Sequence, residues 1–302
     1  MPMTYVVEVQ GLSRQFGVVK ALDAVDFRAT EGLVHGLVGV NGAGKTTLIK
    51  HLLGLLRPTS GTVRVLGLDP VRDPVNVLRR VGYLSEQREM PEWMRIDELL
   101  RYTQAYYPSW DMRYARELLD TFGLDAKKKV GGLSQGMRAQ TGLVLAVAHR
   151  PKVLILDEPS SGLDAVVRQD ILDAIVRTVA DDGRTVIFSS HLLDEVERMS
   201  DRVTMIHQGK IALDGMRDEV CGAHHVTQVR FAERLDRLPQ LDGVLTASGG
   251  ARSWSVVHAS PAEQLRDSVR RVGGEISESR NATLEEIFVA RVGRSAAHAE
   301  AA

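Results

Sequence analysis

Eight consecutive residues, Gly39-Val40-Asn41-Gly42-Ala43-Gly44-Lys45-Thr46, have the types and the spacing needed to hold the phosphates of a nucleotide. The glycines let the backbone turn its N–H groups toward one point, which bulkier residues would resist. Lys45 is placed to reach the β- and γ-phosphates, and the Thr46 hydroxyl suits the magnesium ion that accompanies a nucleotide. An apolar stretch, Leu33-Val34-His35-Gly36-Leu37-Val38, precedes the run and reads as a buried strand, while Thr47-Leu48-Ile49-Lys50-His51-Leu52-Leu53 follows it as a helix. In that order the positive end of the helix dipole points at the glycine loop. A glycine-rich turn with a chance lysine would not bring both flanks, so ATP or GTP binding is the expectation.

A second group of residues supplies acid, base and metal chemistry. Val153-Leu154-Ile155-Leu156 is a continuous apolar run that ends in Asp157 and Glu158. Burial draws such a strand inward and leaves the two acids at its carboxyl end, where open α/β sheets bind ligands. Asp157 suits a magnesium ligand and Glu158 a base that polarises water; the bland reading is a pair of acids capping the turn at Pro159. Another buried run, Thr185-Val186-Ile187-Phe188-Ser189-Ser190, ends directly in His191, which could contact a γ-phosphate from the same sheet end. Val81-Gly82-Tyr83-Leu84 runs out into Ser85-Glu86-Gln87, and a strand ending in a carboxylate and an amide can present either to a metal or to an attacking water, or simply form a solvated loop.

The positioning elements follow from periodicity and punctuation. Residues 5–31 alternate polar and apolar as half-buried antiparallel strands do, with a turn expected at Arg14-Gln15-Phe16-Gly17. Phe16 would stack on adenine there or else plug a hydrophobic edge. Residues 94–122 read as two helices, and their aromatics Trp93, Tyr106, Tyr107 and Trp110 would form either a docking face or core. Gly132-Leu133-Ser134-Gln135-Gly136-Met137 precedes a helix with Ser134 as its N-cap, a second possible anion site. Ser160-Ser161-Gly162-Leu163-Asp164 is a turn that opens the next helix.

The ordered set of residues 39–46, Leu133 to Met137, Leu156 to Glu158, Ser161 to Asp164 and His191 resembles the nucleotide-binding subunit of ATP-binding cassette (ABC) transporters, over about residues 5–218. The resemblance implies an α/β P-loop NTPase core with an antiparallel β subdomain and a helical subdomain at about 88–150. It makes 39–46 the Walker A loop, with Thr47 just beyond it at the nucleotide, and 154–158 the Walker B strand with Glu158 as catalytic base. Ser134 and Gly136 fall on the signature motif, Asp164 on the D-loop, His191 on the switch histidine, and Phe16 on the aromatic that stacks adenine. Two departures stand out: the signature reads LSQGM where the family pattern is LSGGQ, and the glutamine-loop position is taken by Glu86 with Gln87 one residue late. Both Glu86 and Gln87 are carried as magnesium contacts. The cofactors implied are ATP and Mg2+, and the partners are an integral-membrane permease subunit and a second copy of the chain in a head-to-tail homodimer.

Composition bounds the rest. A formal net charge of −1 over 302 residues offers no basic field for nucleic acid, so no nucleic-acid partner is expected. With Cys221 as the single cysteine, disulfides and cysteine metal clusters are excluded, which suits a reducing cytosol. The polar start and the lack of a long apolar run lead to the expectation of a soluble chain, cytoplasmic and peripheral on the inner face of the cell membrane through its partner. Two alternatives compete with transport: an ABC-type ATPase of translation or DNA maintenance, which would usually carry two cassettes or a long coiled coil, and a nucleotide sensor without turnover, which would need neither Glu158 nor His191. The divisions expected are 1–221 for the ATPase domain, 222–293 for a small α+β accessory domain, and 294–302 for a disordered tail. The accessory part reads as βαββαβ, with strands over 226–232, 244–248, 253–258 and 275–279, a short helix over 235–241 and a second over 262–272, followed by a capping box at Thr283-Leu284-Glu285-Glu286. Drug and antibiotic exporters whose membrane domain is a separate chain are similar in carrying such an appendix.

Overall fold

The computed structural model describes residues 4–299. Two compact units divide at Leu213/Asp214. In the first, β1 (Tyr5–Phe16), β2 (Val19–Thr30) and, after β3 (Val34–Val38) and α1 (Lys45–Leu52), β4 (Ser60–Val65) form an antiparallel sheet in the order β2-β1-β4. Their alternation buries one face, with Val7, Val9, Leu12, Leu22, Val25 and Phe27 inside. The hairpin turns at Gly17 and Val18 rather than at residues 14–17, since Phe16 still pairs with Val19.

A helix α2 (Pro74–Leu78) leads to β5 (Val81–Leu84), then come α3 (Ile96–Gln104), α4 (Met112–Thr121), α5 (Gln135–Val147), β6 (Val153–Asp157), α6 (Ala165–Asp182), β7 (Thr185–Ser190), α7 (Leu193–Met199), β8 (Arg202–His207) and β9 (Lys210–Met216). The six-stranded sheet runs β5-β6-β7-β3-β8-β9, with β5, β6, β7, β3 and β8 parallel. Every residue of β3, β6 and β7 is buried, the state that covering a parallel sheet on both faces imposes on apolar runs. One core joins the antiparallel sheet, α1 and the inner face of the parallel sheet through Leu12, Ile49, Leu52, Ile155 and Ile187. The helical segment has a separate core of Ile96, Leu100, Ala115, Leu119, Val130 and Val144.

That second core divides the four aromatics. Tyr107 stacks on His149 with ring centroids 4.0 Å apart, and Trp110 packs against the core, whereas Trp93 and Tyr106 are exposed at 71% and 59%. Among the described residues no helix is long and apolar enough to cross a membrane.

The second unit starts eight residues earlier than the expected 222, taking in α8 (Arg217–Gly222). It continues as β10 (His225–Leu235), β11 (Val244–His258), α9 (Ala262–Arg271), β12 (Gly274–Asn281) and α10 (Leu284–Ala299), with the antiparallel sheet order β11-β10-β12. The βαββαβ reading fails at two points. No helix forms over 235–241, because Pro239 in its interior would remove a hydrogen bond and clash with the preceding turn. The strands expected at 244–248 and 253–258 are one strand, with the bend taken up by positive φ at Gly249 and Ala251. The capping box is present: Glu286 N–H donates to Thr283 Oγ1 at 3.3 Å and Thr283 N–H to Glu286 Oε2 at 2.9 Å. The segment expected as a tail, 294–302, begins inside α10, and its last three residues lie outside the described ones.

Candidate nucleotide site

The glycine loop leaves β3 at Val38 and enters α1 at Lys45. Gly44 adopts φ 117°, where an L side chain is strained, and a Cβ there would sit 2.8 Å from the Ala21 carbonyl oxygen. At Gly39 a Cβ would meet the Ile206 carbonyl oxygen at 2.4 Å. The loop is therefore pressed between β2 and β8. Gly44 as N-cap offers no side chain, so the first-turn N–H groups of α1 receive no side-chain cap where they border the cavity.

That cavity, about 220 Å³, is lined by Ala21, Val40, Asn41, Gly42, Ala43, Gly44, Lys45, Thr46, Thr47, Glu86 and Glu158. A larger depression of about 710 Å³ is lined by His51, Arg57, Arg64 and Arg72 among others and holds none of the candidate catalytic groups. Chemistry, not size, singles out the smaller one. Lys45 is 6% exposed and donates to the Gly39 carbonyl at 2.6 Å, while its Nζ stands 3.1 Å from Glu158 Oε1. Glu158 Oε2 lies 2.7 Å from His191 Nδ1 and accepts the His191 backbone N–H at 3.3 Å. Thr46 Oγ1 donates to Asp157 Oδ1 at 3.3 Å. Residues far apart in the chain thus meet because β3, β6 and β7 are neighbours and end at the same level.

Four further residues of this network carry no motif signal. Ser189 Oγ donates to Asp157 Oδ1 at 2.7 Å and accepts the Glu158 N–H at 2.9 Å, holding both acids at once. Ser160 Oγ and Ser190 Oγ converge on Glu195 Oε2 at 2.6 and 3.1 Å. The hydroxyls of Ser189 and Ser190 were visible as the polar end of an apolar run, but Glu195 reads as one helix-start acid among several. Glu158 itself takes φ 50°, a left-handed conformation rare for a long side chain and typical of functional sites. Burial pushes the Tyr83 phenol up to about 12, with the Asp157 and Glu86 carboxylates adding to it, so it stands beside the site as a neutral hydroxyl.

The remaining candidates lie elsewhere. Glu86 lines the cavity and Gln87 does not, and among the described residues Phe16, Ser134, Gly136, Asp164 and His191 are not part of its lining either. Phe16 is 44% exposed with the Arg14 guanidinium carbon 4.6 Å over its ring. Ser134 Oγ accepts the Met137 N–H at 3.2 Å as the N-cap of α5, and Asp164 Oδ1 accepts the Val166 and Val167 N–H groups at 3.1 and 3.0 Å.

The chain is similar to proteins already known. The profile of the family described as "ABC transporter" matches residues 22–161. The daunorubicin resistance ATP-binding protein DrrA3 of Streptomyces coeruleorubidus is 36% identical over 219 residues, 71% of this chain and 69% of that protein. The chain belongs to the ABC transporter family. The ABC transporter ATP-binding protein YtrB of Bacillus subtilis is 29% identical over 295 residues, 95% of this chain and 98% of its own length. A solved structure, the ATP-binding subunit of an ABC transporter, superposes with TM-score 0.66 at 30% identity and covers 71% of this chain and 91% of that one. The ABC protein is accordingly an ATP-binding, ATP-hydrolysing transport subunit, and its fold is that of an ABC ATPase cassette.

Proposed function

We propose that hydrolysis in this ABC subunit is carried by Glu158 as base, oriented by His191, with Lys45 and the loop 39–46 holding the nucleotide's phosphates. The observation that carries the reading is the meeting of Glu158 with both Lys45 and His191, at 3.1 and 2.7 Å, on the edge of the glycine-loop cavity. Glu158 Oε1 is buried with the Lys45 ammonium 3.1 Å away, an ion-pair contact for which a bound phosphate would compete. Glu158 would draw a proton from a water aligned with the terminal phosphate, while Lys45 and the first-turn N–H groups of α1 hold the negative oxygens in place. The donor set also fits Mg2+: Thr46 and Asp157 would hold it, Glu86 faces the same cavity, and its charge would offset that of the phosphate oxygens. Gathering few protein ligands is what magnesium requires when phosphates and water complete its shell, and among the described residues no group of three or more His, Cys, Asp or Glu is assembled.

The same reading extends to partners. The position of Ser134, Gly136 and Asp164 off the chain's own cavity supports a head-to-tail homodimer in which they close over ATP held by the other copy. A relative named for daunorubicin resistance supports export as the direction, through a separate permease, with the subunit cytoplasmic and peripheral on the inner face of the membrane. Trp93 and Tyr106, exposed on the helical subdomain, offer that permease an apolar contact. Translation and DNA maintenance are disfavoured by a relative that covers 95% of this chain and is named as an ABC transporter ATP-binding protein. Glu158→Gln tests the core of the proposal: ATP binding should stay near the wild-type level while turnover falls by about 100-fold or more. Near-normal turnover would move the base to another residue.

A further inference from the structure

Arg88 is 8% exposed, although Gln87 and Glu89 on either side of it are exposed. Its Nη2 donates to the carbonyls of Pro159 at 3.0 Å and Ser161 at 2.8 Å, while Nε is buried without a partner. Among the described residues no carboxylate pairs with it at ion-pair distance. A buried cation whose direct partners are two carbonyls, with the Glu86 carboxylate acting on it only through space, is an expensive choice, since burial removes hydration that a paired opposite charge would otherwise replace. A methionine or leucine could fill the same space at lower cost. The residue is also held at φ 50°, a second local cost at the same position. Packing therefore does not explain the choice of arginine.

What Arg88 grips is the stretch that follows the proposed base. From the other side Glu195, 2% exposed, accepts the Ser160 hydroxyl at 2.6 Å and the Ser190 hydroxyl at 3.1 Å, next to His191. Residues 159–161 are thus clamped by their carbonyls to Arg88 and by a side chain to Glu195. The Arg88 N–H in turn closes a tight turn onto Ser85, donating to its carbonyl at 3.1 Å and its hydroxyl at 3.2 Å. Inside that turn sits Glu86, which lines the phosphate cavity. A displacement of Glu86 by whatever fills the cavity is therefore carried through Arg88 to the backbone behind Glu158.

We propose that Arg88 is a positioning residue for hydrolysis, coupling the Glu86 turn to residues 159–161 so that Glu158 and Asp164 are set by the state of the phosphate cavity. The inference rests on Glu158 being the base, and it assigns Arg88 no contact with substrate. Its side chain acts mainly on turnover, because neither of its carbonyl partners lines the cavity and the Glu86 turn, which does, is closed by the Arg88 backbone N–H.

The test uses the full chain with Arg88→Met and Arg88→Lys, each alone and in the Glu158→Gln background. ATP affinity is measured by equilibrium titration, turnover by phosphate release, and folding by thermal unfolding. Arg88→Met should bind ATP within about twofold of wild type and lose about 10-fold to 100-fold in kcat with little change in KM. Arg88→Lys, whose ammonium can reach the same carbonyls but lacks the rigid guanidinium plane that aims Nη2 at both, should recover part of that loss. In the Glu158→Gln background Arg88→Met should lower the residual turnover by less than about twofold, since the group it positions is already gone. An unchanged kcat in Arg88→Met, or the same fold-loss in both backgrounds, overturns the proposal. Should Arg88→Met fail to fold, Arg88→Lys decides, and wild-type kcat in that variant overturns it equally. Failure of the underlying reading would show separately, as near-normal turnover in Glu158→Gln alone.

Discussion

Replacing Lys45 with Ala should destabilise the first unit in the absence of any nucleotide, and the size of the loss should depend on Glu158. Both side chains are 6% exposed and their charged atoms are 3.1 Å apart. Removing one member of a buried pair leaves an uncompensated charge, which commonly costs about 3–5 kcal/mol. Here Glu158 keeps the His191 ring nitrogen at 2.7 Å and the His191 N–H at 3.3 Å, so the cost falls to just below that range, about 2–3 kcal/mol. For a domain of this size that corresponds to a fall in Tm of about 4–12 °C. In the Glu158→Gln background no anion is stranded, and Lys45→Ala forfeits only the hydrogen bond to the Gly39 carbonyl, about 1 kcal/mol or roughly 2–4 °C. Thermal unfolding of the four proteins, followed by circular dichroism with nucleotide removed, closes the cycle. An equal drop in both backgrounds would mean that the Lys45–Glu158 contact carries no energy and that Lys45 is held in place by the Gly39 carbonyl alone.

Two further outcomes are expected. Burial pushes the His149 imidazole, 1% exposed, down to about 4; a depressed histidine gives stability that is complete above about pH 6.5 and is lost as pH falls toward 4. The loss amounts to about 2 kcal/mol by pH 5, and unfolding of His149→Phe at pH 5 and 7.5 should show a weaker pH dependence than wild type, equal dependence counting against the assignment. Mixing purified Lys45→Ala with Ser134→Arg should restore part of the ATPase activity that each lacks, because one of the two sites in the mixed dimer then pairs an intact loop with an intact signature, whereas a wild-type chain that hydrolyses ATP at full rate as a monomer at every concentration, with light scattering showing no dimer, would refute the paired arrangement.

The parts of this structure that were legible in the sequence are those whose cause is local. Glycines at 39, 42 and 44, a lysine and a threonine are contiguous, and the apolar runs that end at Asp157 and at Ser190 announce both a buried strand and what stands at its end. The clamp behind Glu158 was not legible, because Arg88 and Glu195 act on residues 71 and 35 positions from them, at Pro159 and Ser160, and neither residue type is unusual where it stands. In the second unit the error had the opposite origin. Local pattern suggested a helix over 235–241 and a strand break near Gly249, but Pro239 forbids the one, and a glycine followed by a positive φ at Ala251 lets a single strand bend instead of ending. The glutamine-loop ambiguity was one of geometry alone, and the cavity lining places Glu86 rather than Gln87 against the phosphate loop.

Ser134 and Asp164 remain the residues for which one chain offers a complete structural account, since each caps the helix that follows it. Capping, however, uses only part of each side chain. Ser134 is exposed and its Oγ is an acceptor toward the Met137 N–H, which leaves the hydroxyl proton free to donate outward, the polarity that a phosphate oxygen requires. Asp164 is exposed as well and spends Oδ1 on the Val166 and Val167 N–H groups, so Oδ2 takes no part in the cap. The cap fixes the rotamer in both cases and thereby aims the unused atom. A residue chosen for the cap alone could be serine, threonine, aspartate or asparagine with little difference in stability. At position 134 a hydroxyl both caps α5 and turns a proton toward an anion, which an asparagine amide could also do but an acid could not, since it would repel the phosphate it met. The identity of the residue, more than its place at a helix start, is therefore what favours the paired arrangement over a purely structural role.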